Sequence, residues 1–154
     1  MKLGEKYDHL NALELILNRD GIYKEICTII NYEELIFGLT PPNTIKKNIN
    51  ERFNHLGWAD KVKVGTSNLT ISFLKSNIGV CFQLGNVART YADILKLMQL
   101  HKKGKIKVGI ICVPHKLESL KMGANYAQFE RLSKDIIQFT DIVTVPILVI
   151  GLLN

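Results

Sequence analysis

The residues best placed to do chemistry sit on a predicted β-hairpin. Residues 69–75 (LTISFLK) and 78–84 (IGVCFQL) read as two strands joined by the tight turn Ser76-Asn77. Pairing Lys75 with Ile78 sets the register, so Ser72 faces Cys81 and Thr70 faces Gln83. The period of two then sorts the side chains. Ile71, Phe73, Ile78, Val80, Phe82 and Leu84 make a core face. Thr70, Ser72, Leu74, Gly79, Cys81 and Gln83 make a second face, small and mostly polar. A thiol there could act as a nucleophile only as a thiolate, which needs a neighbouring base or cation. No such partner is visible in the sequence, so Cys81 reads as a small packing residue. A single cysteine with no histidine or acid nearby is also a poor zinc site.

The second chemical signal is charge. The 154 residues carry 20 basic and 14 acidic side chains, a net +6, and the excess is concentrated in the middle. Residues 61–117 hold 10 basic side chains and a single acid, Asp93, for a net +9, whereas the flanking stretches are close to neutral. That distribution suits a surface that meets phosphates. Lys61, Lys63, Lys75, Arg89, Lys102, Lys103 and Lys105 are the expected phosphate contacts. Asp93 is expected to cap a helix or pair with a lysine, and Arg89 to meet phosphate, Glu130 or Asp93.

The elements that must position these residues follow from periodicity and breakers. Leu10, Leu13, Ile16 and Leu17 recur at helical spacing and predict a helix over 7–19, stopped at Gly21. A second helical stretch covers about 22–37. Thr40-Pro-Pro-Asn43 breaks the chain, and Asn43 or Thr44 can cap a helix over 44–56 with Ile45, Ile49, Phe53 and Leu56 on one face. After the hairpin come a helix over 87–103, with Asn86 as its expected cap, and a strand over 106–113 stopped by Pro114. A helix over 125–139 and a buried strand over 145–150 follow. Strands 78–84 and 106–113, joined by a helix, are expected to be parallel neighbours. The fold class is α/β (α+β): a central mixed sheet flanked by helices, one domain over 1–154.

Several functions are excluded or left without support. The chain is 47% hydrophobic and 22% charged, which is not the composition of a disordered chain. The apolar run Val145–Leu153 is too short to span a bilayer, and MKLGEKYDHLN has no apolar signal-peptide core. Three widely spaced cysteines make no disulfide framework, so a cytoplasmic protein with no membrane partner is expected. There is no Walker loop, G-x-G-x-x-G, H-E-x-x-H or G-x-S-x-G. The histidines at 9, 55, 101 and 115 are scattered and read as surface or satisfied core residues.

What remains is a linear pattern. Leu56-Gly57-Trp58 ends a helix. The hairpin's second strand runs V-C-F-Q-L-G-N (Val80–Asn86), followed by A-R-T-Y-A-D-I-L-K-L (Ala88–Leu97) and G-K-I-K-V-G-I-I-C-V-P (Gly104–Pro114). N-Y-A-Q-F-E-R-L (Asn125–Leu132) and V-P-I-L-V-I-G (Val145–Gly151) close it, and His9–Glu14 (HLNALE) looks like the opening helix. In order and spacing this resembles the BglII/BstYI group of Type II restriction endonucleases, in the PD-(D/E)XK superfamily, over nearly the whole chain.

The resemblance implies a restriction-endonuclease-like core, a homodimer clasping double-stranded DNA, and a magnesium site on the hairpin. In that group an Asp on one strand is followed, nine residues later, by Glu-x-Gln. The carboxylates hold a divalent ion that lowers the pKa of a bound water and stabilises the charged transition state. Here the Asp position is Ser72 and the Glu position is Cys81, and only Gln83 fits. The hairpin register places these three on one face independently. Neither serine nor cysteine can replace a carboxylate on magnesium. The sequence therefore predicts a catalytically degenerate site at Ser72, Cys81 and Gln83, with no metal and no cofactor. The protein would bind DNA or a protein partner, in restriction, defence or counter-defence. Two alternatives stand beside it: an active magnesium-dependent endonuclease with relocated acids (Glu51, Asp60 or Asp93), and a protein-binding inhibitor module built on the nuclease fold.

Overall fold

A computed structural model describes residues 1–66 and 68–154. Six strands form one mixed sheet in the order β1-β6-β5-β4-β3-β2. They are β1 (Lys2–His9), β2 (Ala59–Lys63), β3 (Thr70–Lys75), β4 (Ile78–Phe82), β5 (Val108–Pro114) and β6 (Ile147–Leu153). Helices α1 (Ala12–Leu17), α2 (Ile22–Ile30) and α3 (Pro42–His55) precede β2. Helix α4 (Ala88–Lys102) links β4 to β5, and α5 (Lys116–Leu120) and α6 (Phe129–Gln138) link β5 to β6.

The central strands β4, β5 and β6 are parallel, as the helical connections require. Their sequences are nearly continuous apolar runs because helices cover both faces. Ile78, Val80, Val108, Ile110, Leu148 and Ile150 bury against α1, α2 and α3. Cys81, Ile111, Ile147 and Val149 bury against α4 and α6. Gly109 allows this second layer to sit close. A Cβ there would come within 2.7 Å of Leu97 Cδ1, so a side chain would force Leu97 to shift.

The hairpin register is the expected one near the turn, with Lys75 opposite Ile78, Leu74 opposite Gly79 and Phe73 opposite Val80, but the expected Ser72–Cys81 and Thr70–Gln83 pairs do not form. Two details of it differ. The face carrying Gly79 and Cys81 is buried, because β4 is a central strand roofed by α4. Ile71 also leaves Phe73 and joins that face, packing with Leu97 and Ile106 around Gly79. The paired run of β3 and β4 ends at Phe73–Val80, which frees the start of β3 to coil over the α4 side.

The predicted helix over 7–19 is shorter. The chain stays in β1 through His9, pairing with β6 to close one sheet edge. Leu10 and Asn11 then turn it, both at φ 55°, and only Ala12–Leu17 is helical. Tyr7 and His9 carry the strand's alternation, but lysines and acids around them obscure it. The stretch over 22–37 ends at Ile30, where Asn31 is extended and its Oδ1 accepts the Leu3 amide. Helix α3 starts at Pro42, ahead of Asn43, with a proline in its first turn instead of a side-chain cap. Strand β2 was not foreseen. It is an exposed edge strand rich in lysine, with no buried face to mark it.

Candidate nucleic-acid interface

The site is built where β3 and β4 part. Beyond Phe73–Val80 the ladder is completed by a side chain, since Ser72 Oγ accepts the Phe82 amide at 3.0 Å. That hydroxyl therefore has a structural task. Cys81 is 1% exposed, among Ile71, Ile94 and Leu97. Burial pushes its thiol well up from the ordinary value, and the neighbouring Asp93 charge pushes it further against Lys96 and a Ser72 hydrogen bond. The thiol is thus protonated and shielded, and no nucleophile is available there.

Gln83 and Asp93 lie on the floor of the site. Gln83 Nε2 donates to Asp93 Oδ2 at 2.7 Å, and Lys96 Nζ donates to Asp93 Oδ1 at 2.8 Å. Asp93 is 4% exposed. The expectation that it pairs with a lysine holds, and its partner is Lys96 on the next turn of α4. The cap of α4 is Val87, one residue beyond the expected Asn86, whose Oδ1 still accepts the Ala88 amide at 2.8 Å at the start of the helix.

Above this floor opens a cleft of about 260 Å³. Lys46 and Asn50 from α3, Lys61 from β2, Ser72 from β3, Gln83, and Arg89, Asp93 and Lys96 from α4 line it. Lys61 has φ 47°, a left-handed backbone rarely adopted by lysine, between the Asp60–Phe73 and Val62–Ile71 pairs. Lys46 and Arg89 also line an adjoining cleft of about 520 Å³ with Asn43, Asn86, Asn125 and Tyr126, so the two clefts share these cations. Burial holds the Lys46 ammonium below its ordinary pKa, and the Arg89 charge adds to this. Among the described residues, no carboxylate pairs with Lys46, Lys61 or Arg89.

The residues do not fit a magnesium ion. Asp93 is the one carboxylate among those lining the cleft, and both its oxygens are engaged. Magnesium asks for hard anionic oxygens in near-octahedral array. Among the described residues no group of three His, Cys, Asp or Glu could hold a metal. Glu51 pairs with Lys47 on the surface and lines a separate groove with Thr28 and His55. Asp60 is exposed on β2 and does not line the cleft.

The structure brings together Lys61, Arg89, Ser72 and Gln83 from the expected set. It separates others. Lys75 lies outside the cleft: its Nζ donates to both Glu25 oxygens at 2.8 Å and to the Leu56 carbonyl at 2.7 Å, because its strand end turns toward α2 and α3. Lys63 is exposed on β2 outside the cleft. Lys102, Lys103 and Lys105 lie at and beyond the far end of α4, roughly 20 Å along the helix from Arg89. Arg89 meets neither Glu130, which binds His115, nor Asp93. Lys46, Asn50 and Lys96 were missed. Lys46 and Asn50 each follow a buried residue of α3, Ile45 and Ile49, and that adjacency was the available signal.

The family model for restriction endonuclease BglII/BglIII matches residues 5–152. The chain belongs to this restriction endonuclease family. Two solved structures share the fold of this BglII-like chain. One, of BglII endonuclease complexed with a DNA 16-mer, has a TM-score of 0.81 at 16% identity, covering 100% of this chain and 77% of that one. The other, of free BglII, has a TM-score of 0.74 at 19% identity, covering 100% and 80%. No curated protein matches the chain significantly. Among the described residues, no helix of this family member is long and apolar enough to cross a membrane.

Proposed function

We propose that this BglII-family chain is a catalytically degenerate nuclease that binds double-stranded DNA through the cleft floored by Gln83 and Asp93. The observation that carries it is the pairing pattern of the cleft. Its one carboxylate is neutralised, while Lys46, Lys61 and Arg89 have no anionic partner among the described residues. Such a surface attracts phosphate but holds no divalent ion. Ser72, Cys81 and Gln83 stand at the positions where the family's carboxylate pattern is expected. The fold's likeness to a structure of BglII bound to DNA fits the same use. A homodimer is the assembly the family implies, and a cytoplasmic role in restriction, defence or counter-defence is the setting.

The test is incubation of purified protein with plasmid and labelled duplex, with magnesium or manganese, across a salt series. Binding without cleavage is expected. Three phosphate contacts per protomer would give a slope of log affinity against log salt of about −3 for one protomer and about −5 for a dimer. Cleavage that survives further purification and stops with EDTA would overturn the reading.

A protein partner is the second reading. It is favoured by Leu39, Leu117 and Leu120, which are 79%, 74% and 52% exposed. Duplex binding too weak to measure, with retention of a partner on these side chains, would favour it.

A further inference from the structure

Lys96 differs from the other cations of the cleft because it is committed. Its ammonium lies 2.8 Å from Asp93 Oδ1, with the two side chains 17% and 6% exposed. The second Asp93 oxygen accepts from Gln83. Asp93 and Lys96 stand three residues apart on α4, so folding of the helix brings the ammonium to the carboxylate. Without it, a buried carboxylate would face the cleft. It would repel an incoming phosphate and draw in a cation. The neighbouring Cys81 thiol adds no charge, being buried and protonated.

We propose that Lys96 is a built-in counter-cation for Asp93, standing where a divalent ion would otherwise be drawn, so that the cleft seats a phosphodiester group without metal. The phosphodiester half rests on the reading of the cleft given above. The ionic half is a property of the free chain and is tested separately. Lys46, Lys61 and Arg89 are left to meet the phosphate, and Lys96 acts through Asp93 as a positioning residue.

The first arm titrates Mn²⁺ into the free protein, read by electron paramagnetic resonance and by broadening of the Gln83 side-chain amide signals. Wild type is expected to take no Mn²⁺ at Asp93. Lys96→Met should gain a site that the double variant Asp93→Asn/Lys96→Met lacks. Mn²⁺ at Gln83 in wild type, or no gain in a folded Lys96→Met, would overturn the proposal. The second arm measures duplex affinity. Lys96→Met should bind about tenfold more weakly than wild type in EDTA and recover in Mn²⁺. The double variant, which keeps the net charge of the cleft, should recover most of the affinity that Lys96→Met loses, and Mn²⁺ should not change it. A double variant as weak as Lys96→Met would show that Lys96 touches the phosphate directly, and the counter-cation role would fall. Should Lys96→Met not fold, the double variant against wild type still decides. If wild type binds no duplex, the reading of the cleft fails while the Mn²⁺ arm still judges the ion pair.

Discussion

The Gln83 side-chain amide donates to Asp93 Oδ2 across 2.7 Å, with both residues buried between the end of β4 and α4. Lys96 completes the same carboxylate. Removing Asp93 would strand an ammonium and an amide in a poorly hydrated site. Asp93→Ala is expected to lower stability by about 3 kcal/mol. Adding Lys96→Met should recover a good part of that loss. Urea unfolding of the single and double variants checks both values.

The buried thiols make stability fall in alkali. Cys112 is pushed up to about 12 by burial, and Cys81 is pushed up by burial and by Asp93. In the unfolded chain both ionise near the ordinary value of 9.0. The folded values are raised, so the folded state binds more protons above that pH. The contribution is complete below about pH 9 and is lost as pH rises toward the folded values. The expected slope is about 1.4 kcal/mol per pH unit for each thiol. Cys81→Ala and Cys112→Ala should each flatten it. In the native state, half-exposed Cys27 should take up a thiol reagent first.

Much of this fold was legible because its central strands and longer helices obey simple periods. The Ser76-Asn77 turn set the hairpin register, both residues adopting positive φ there. Strand β1 was hidden because helical spacing from Leu10 to Leu17 masked the alternation before it. At the site, Ser72 and Gln83 share the cleft, but the expected Ser72–Cys81 and Thr70–Gln83 pairs do not form and Cys81 is buried under α4. The register could not show that Lys75 bends back to Glu25, nor that α3 lends Lys46, because both depend on packing between distant segments.

Lys46 and Lys75 should separate binding from stability. Lys46→Met and Arg89→Met are each expected to weaken duplex binding and reduce the salt slope by about 1. Lys75→Met should leave that slope unchanged. It would cost about 2 kcal/mol of stability instead, by leaving Glu25 with Trp58 Nε1 as its remaining donor. Fluorescence anisotropy and denaturant titration of the three variants give both readouts.

Ser72 should behave as a structural residue. Ser72→Ala removes the acceptor of the Phe82 amide and is expected to cost about 1 kcal/mol. Duplex affinity should be unchanged. A large loss of affinity with unaltered stability would place the hydroxyl on the ligand instead.

DNA should sit in the cleft and remain uncut there. The direct measurement is an NMR titration of the labelled chain with a short duplex in magnesium, followed by strand-length analysis of the recovered DNA. Binding in the cleft without cleavage predicts shifts at Lys46, Lys61, Gln83 and Arg89, little change at Lys102, Lys103 and Lys105, and intact strands. Shifts confined to the far end of α4, or strands cut in a magnesium-dependent way, would contradict it.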